Sequence, residues 1–312
     1  MNLVLTLFKD GFILTISTIK MKTILKNSRV LLVVLLTSAL YAQQDPSYTL
    51  YQYNMNVINP AYAGINDFNE VNINFRSQWV NLEGSPETQS LSVGIPMNDK
   101  VGWGLSIVND EVFVLKETDV YIDFSYRVQV GSNTNLYMGL KGGGTFINID
   151  LNKLGIMNDP VFTENVSNFN PNVGVGFLLK GPKYYVNLSA PTLLKSKRYE
   201  KDGVVVTHAT DRLHAYAGAG YTFSLDNEID VTPSVLGRFV SGAPASLDMT
   251  ATFDLHKVIE LGISYRLDES VSGIGLLKLA DWVHFGYAYE ATTTDVKDYS
   301  KGTHEVLLRF RF

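Results

Sequence analysis

Apolar and polar side chains alternate with a period of two along almost the whole chain from Val71 to Phe312. The stretch DVYIDFSYRVQV, residues 119–130, sets Val120, Ile122, Phe124, Tyr126, Val128 and Val130 against Asp119, Tyr121, Asp123, Ser125, Arg127 and Gln129. Successive side chains of an extended chain point to opposite sides, so such a stretch is a strand with one dry face. The pattern recurs at Val71/Ile73/Phe75, Leu91/Val93/Ile95, Val101/Trp103/Leu105/Ile107, Leu136/Met138/Leu140, Val173/Val175/Phe177/Leu179 and Tyr184/Val186/Leu188. It continues from Leu213, Val231, Leu247, Ile259, Val271, Val283 and Val306, which brings the expected number of strands to 14. Pro233 has no N–H for the ladder, and a bulge or bend is expected there.

The connections add a second constraint. Short ones (97–99, 131–133, 181–183, 225–227 and 256–258) alternate with longer polar ones (81–87, 109–117, 150–169, 191–210 and 292–302). Two connections, 241–244 and 268–270, depart from the trend. Tight turns at one rim and extended loops at the other are the habit of an up-and-down antiparallel barrel, whereas Greek-key sandwiches connect differently. The face opposite the apolar one is largely small, polar or charged, including Gly102, Gly104, Gly174, Gly176, Gly218, Gly220 and Gly262. Fourteen strands enclose more space than large side chains readily fill, so the apolar face is expected to point outward into lipid and the interior to be wet or plugged. The expected fold is therefore all-β: a closed antiparallel transmembrane barrel over residues 68–312, preceded by an N-terminal periplasmic or plug segment at 43–67. Gly142–Gly144 is read as a soft spot on the lumen face.

The leader has its own grammar. From Met21, Lys22, Lys26 and Arg29 precede the apolar run VLLVVLLTSAL and then Tyr41–Ala42, which reads as a cleaved export signal over residues 1–42. Residues 1–20 read as an over-extended start or a longer leader. The apolar run is too short to span a bilayer as a helix. Setting the leader aside, with five basic side chains against Asp10, takes the formal charge from −5 for the chain to −9 for the remainder. An acidic body argues against nucleic-acid binding. With no cysteine, disulfides, thiolate metal sites, cysteine nucleophiles and a lipoprotein anchor are all excluded.

Catalytic signatures are missing. His208, His214, His256, His284 and His304 lack HExxH spacing, and there is neither a G-x-S-x-G elbow nor a phosphate loop. DLNKLG, from Asp150, begins like a calcium loop but has Leu154 at a ligand position and Val161 where the bidentate Glu belongs. No enzyme activity, cofactor or metal is expected.

Aromatic residues near the strand ends (Trp79, Trp103, Tyr184, Tyr185, Trp282, Tyr287 and Tyr289) suit a membrane interface. The terminus HEVLLRFRF carries Phe310 and Phe312 to the end of the chain and resembles the assembly signal of bacterial outer-membrane barrels. The run QQDPSYTLYQYNMNVINPAYAG (43–64) resembles the opening of the PorP/SprF family of Bacteroidetes outer-membrane proteins. RSQWVNLEGSPETQSLSVGIP (76–96), GWGLSIVNDEV (102–112), PNVGVGF (171–177), PSVLGRFVSGAPASLDM (233–249) and GYAYEATTTDVKDYSKGTHEVLL (286–308) follow the family in order.

The resemblance implies a non-enzymatic component of the type IX secretion system in the outer membrane. It implies other secretion subunits, outer-membrane lipid and exported cargo as partners, including the surface adhesins of gliding motility. It supplies no catalytic residue. With both termini periplasmic, Tyr48, Tyr51, Tyr53, Pro60 and Tyr62 are the candidate residues for docking a partner or packing as a plug. KSKRYEKD (195–202) and 150–169 read as loops particular to this chain. The rival reading is a passive pore or small-molecule transporter.

Overall fold

The structure, a computed structural model, describes residues 47–154, 166–194, 197–201, 204–210, 213–226, 228–241 and 243–312. The expected leader lies outside the described residues, as do 43–46 and parts of the KSKRYEKD run. In chain order the strands are β1 (Glu70–Ser77), β2 (Glu87–Pro96), β3 (Val101–Val112), β4 (Leu115–Gln129), β5 (Asn135–Ile149), β6 (Val166–Lys180) and β7 (Tyr184–Thr192). There follow β8 (Lys197–Lys201), β9 (Val204–Thr210), β10 (His214–Tyr221), β11 (Phe223–Ser224), β12 (Ile229–Val240) and β13 (Ser246–Leu255). The last are β14 (Ile259–Arg266), β15 (Ser270–Ala280), β16 (Val283–Thr292) and β17 (Thr303–Arg311).

Fourteen of these close a barrel. Sequential neighbours pair antiparallel from β1 to β7, β10 joins β7 to β12, and β12 to β17 continue the meander. β1 then pairs with β17 from Glu70↔Arg311 to Ser77↔His304, which shuts the ring. Closure leaves these strands no free edge, so the wall can satisfy its own backbone groups without water. β8 and β9 form a separate two-stranded hairpin inside the long connection between β7 and β10.

The side chains sort as the alternation requires. On the outside, Phe75, Leu140, Leu261 and Ile263 are half or more exposed, while on the inside Asn74 and Asp123 are fully buried. This inverts the soluble pattern, in which large apolar groups retreat inward, and gives the barrel an apolar outer band around a polar interior.

Three details differ from expectation. The connection expected at 109–117 is strand instead: β3 and β4 pair out to Val112↔Leu115, and Phe113–Val114 alone turn the chain, with Phe113 at φ +56°. Polar residues beyond the apolar band can still complete a ladder, so composition overstated the loop. Pro233 sits in register opposite Ala251 without a bulge. The interruption falls on the other neighbour, where β10 ends at Tyr221 and β11 resumes at Phe223, on the side that faces the ring nitrogen. Finally, strict alternation leaves only Gly143 of the glycine triplet inward; a Cβ on Gly142 would meet nothing within 4 Å.

The sorting generates a paired test. Ile263→Arg on the outer band is expected to cost about 2–4 kcal/mol in phospholipid vesicles. Ser264→Ala, which removes the inward hydroxyl 2.8 Å from Thr250, is expected to cost about 1 kcal/mol. Urea unfolding of the vesicle-inserted protein measures both.

Candidate functional site: the occupied lumen

Residues 47–64 lie inside the barrel, and 65–69 lead from its turn rim into β1. Asparagine and proline break this segment into three single-turn 3₁₀ helices, Tyr51–Tyr53, Met55–Val57 and Pro60–Tyr62. Asn59 caps the third by accepting from Ala61 N at 3.0 Å, with Pro60 at the first helical position. The tight turns send successive side chains to different walls. Tyr48, Tyr51, Met55 and Ile58 pack on Tyr216 and Leu236. Leu50 and Tyr53 pack on Ile274, Leu276, Ala288 and Leu307. Ala61 and Tyr62 pack on Tyr137 and Leu178. Of the residues expected to dock or plug, Tyr48, Tyr51, Tyr53 and Pro60 are buried here and Tyr62 is partly so.

The segment runs lengthwise. Ser47 accepts from Arg266 Nη1 at 3.2 Å, and Arg266 ends β14 at the rim that carries the longer loops. Gly64, at φ +58°, lies against Ile95 and Gly102 beside the β2–β3 turn at the opposite rim. Beyond it, Asn69 exchanges backbone hydrogen bonds with Phe312 at 3.1 and 2.9 Å. The wall is hollowed to admit the chain: a Cβ on Gly139 would stand 2.2 Å from Ala61 N, and one on Gly176 2.0 Å from Asn59 Oδ1.

Charged groups on the wall hold the segment at two levels. Near the loop rim Glu305 accepts from Thr49 N at 2.7 Å, Leu50 N at 3.2 Å and Asn74 Nδ2 at 2.8 Å, and pairs with Arg76 at 3.1 Å. Arg76 also pairs with Glu290 at 3.2 Å and donates to Thr49 Oγ1 at 3.0 Å. Arg266 extends the network to Asp248 at 2.6 Å and Glu290 at 3.6 Å. Lower down, Lys141 pairs with Asp123 at 2.8 Å and donates to the Asn56 carbonyl at 3.3 Å, while Asn56 donates back to Asp123. Tyr53 donates to Glu260 at 2.7 Å. Buried charges are tolerable only when so paired and hydrogen-bonded. Burial raises the Tyr48 and Tyr53 phenols well above their ordinary range, helped by Asp110 and Glu305 beside the first and Glu260 beside the second. Tyr51 and Tyr62 are raised by burial too, so all four stay neutral.

Sequence reasoning named the tyrosines but missed Arg76, Lys141, Glu290 and Glu305. The available signal was a full charge at an inward position of an otherwise apolar-alternating strand. Phe310 stacks on Trp282 with ring centroids 6.2 Å apart, and Phe312 is exposed at the turn rim.

An antiparallel ring with an apolar exterior, a polar interior and tight turns at one rim is an outer-membrane β-barrel. The sequence matches the family of type IX secretion system membrane proteins PorP/SprF over residues 40–310, and the chain belongs to that family. Among solved structures, the toluene transporter TbuX of Ralstonia pickettii aligns at TM-score 0.51 with 8% identity, over 81% of this chain and 92% of that one. The monoaromatic hydrocarbon channel CymD aligns at 0.49 with 12% identity, over 83% and 93%. The toluene transporter TodX of P. putida aligns at 0.48 with 9% identity, over 83% and 94%. Identities this low concern the fold alone. No curated protein matches the sequence.

Removing the carboxylate at the centre of the clamp is the sharpest perturbation. Glu305→Ala removes the acceptor of two backbone N–H groups and leaves Arg76 with Glu290 as its remaining ion partner; it is expected to destabilise the docked segment by about 1–3 kcal/mol for each stranded N–H. Limited proteolysis of the detergent-purified barrel checks this: cleavage within 47–66 should accelerate while the wall stays intact.

Proposed function

We propose that the protein is a plugged, non-conducting barrel that supports export or surface attachment of cargo proteins through its rims, alongside other type IX secretion subunits. The observation that carries this reading is the lumen itself. A conducting pore keeps its bore open, whereas here residues 47–64 pack against three groups of wall side chains and are hydrogen-bonded to buried ion pairs of the wall. On this reading the apolar band lies in lipid, the turn rim and the C-terminus face the periplasm, and the long loops face outward; Ser47, bonded to Arg266 at the loop rim, then starts the lumen segment at the outer end, where the sequence reading had both termini periplasmic. Tyr48, Tyr51, Tyr53, Pro60 and Tyr62 act as a plug, and Phe310 and Phe312 mark the chain for barrel assembly. Gliding adhesins are one class of cargo that such a barrel would serve.

Two measurements test the proposal. In planar bilayers the intact protein is expected to pass no steady current, and deletion of 47–66 or Gly139→Val, which intrudes on Ala61, to open one. In cells, loss of the gene is expected to deplete type IX cargo from the surface. Steady currents from the intact protein together with normal cargo display would favour the pore.

A further inference from the structure

Between the lumen segment and the turn-rim ends of the wall lies a partly open cavity of about 180 Å³. Tyr53, Met55, Tyr62, Ile65 and Phe68 supply its apolar lining, and Lys180 at the end of β6 lines it together with Glu70, Arg309 and neutral polar groups. The other cations there are engaged. Arg309 pairs with Glu70 at 2.9 Å and lies over the Tyr53 ring, while Arg311 lies 3.8 Å from Glu70 and over the Phe68 ring. Among the described residues the Lys180 ammonium has no ion pair and no side-chain hydrogen bond; Glu70, Asp67 and Arg309 act on it only from a distance.

We propose that this cavity is a docking site for the carboxyl end of a peptide chain whose last side chain is apolar or aromatic. The apolar wall takes the side chain and Lys180 takes the carboxylate. Size argues for a chain end over an acyl chain, because the cavity is smaller than the roughly 300–1,000 Å³ of ordinary small-molecule sites. Capture of a terminal carboxylate is an established way to hold a peptide by one charge and one side-chain contact. Placing the partner in the periplasm rests on the orientation proposed above; the binding chemistry does not.

The test uses the purified full-length barrel in detergent, with N-acetyl-L-phenylalanine as the probe and N-acetyl-L-phenylalaninol as its uncharged counterpart, both followed by saturation-transfer NMR titration. The carboxylate probe is expected to bind at least tenfold more tightly than the alcohol. Lys180→Gln should abolish that preference and Lys180→Arg should keep it. Ile65→Trp, which fills the cavity, should weaken both probes. Heat-modified migration on gels verifies that each variant is a folded barrel. Equal affinity for the two probes, an unchanged preference in Lys180→Gln, or no binding by the parent protein would each overturn the proposal. Because no secretion readout enters, failure here leaves the export reading standing, and failure of the export reading leaves this result standing.

Discussion

Everything in this molecule depends on one seam, the antiparallel pairing of β1 with β17. Until it forms, two strand edges are unsatisfied and no bilayer can accept the sheet; once it forms, the wall is self-contained. The seam is reinforced from inside by polar side chains. Arg76 and Asn74 of β1 both reach Glu305 of β17, and Glu70 of β1 reaches Arg309. Glu305 also receives two backbone N–H groups of the lumen segment. One carboxylate therefore joins the first strand, the last strand and the occupant of the bore.

The barrel was legible because its physics is written in a short period. Alternation places all fourteen wall strands, and the choice of lipid-facing side follows from glycine and polar residues opposite the apolar ones. What composition could not deliver was where pairing stops. Asn109–Glu117 looks like loop because it is polar, yet in an extended hairpin polarity sets the environment of the side chains and leaves the backbone ladder untouched.

The lumen was half legible. Four tyrosines within fifteen residues announced a segment too aromatic to be free, but whether it capped a rim or filled the bore depends on contacts between residues over two hundred positions apart, such as Thr49 with Glu305. Clues existed on the wall. Ile274, Leu276 and Leu307 are apolar at inward positions, which a wet interior would not favour, and they are the residues that meet Leu50 and Tyr53. The stretch from Val271 to Leu279 reads as apolar on both faces because one face meets the surroundings and the other meets the plug.

The lengthwise course of residues 47–64 has a consequence for how the molecule comes into being. An occupant that merely sat in the mouth could arrive after the vessel was finished. This one enters beside Arg266 and leaves beside Gly102, at opposite ends of a wall with no gap. Either the sheet curls around its own leading stretch as the final pair of edges meets, or that stretch must be drawn through the finished cylinder like thread through a bead. The first route asks for no passage of tyrosines through a narrow bore, and it makes closing the cylinder and filling it a single event.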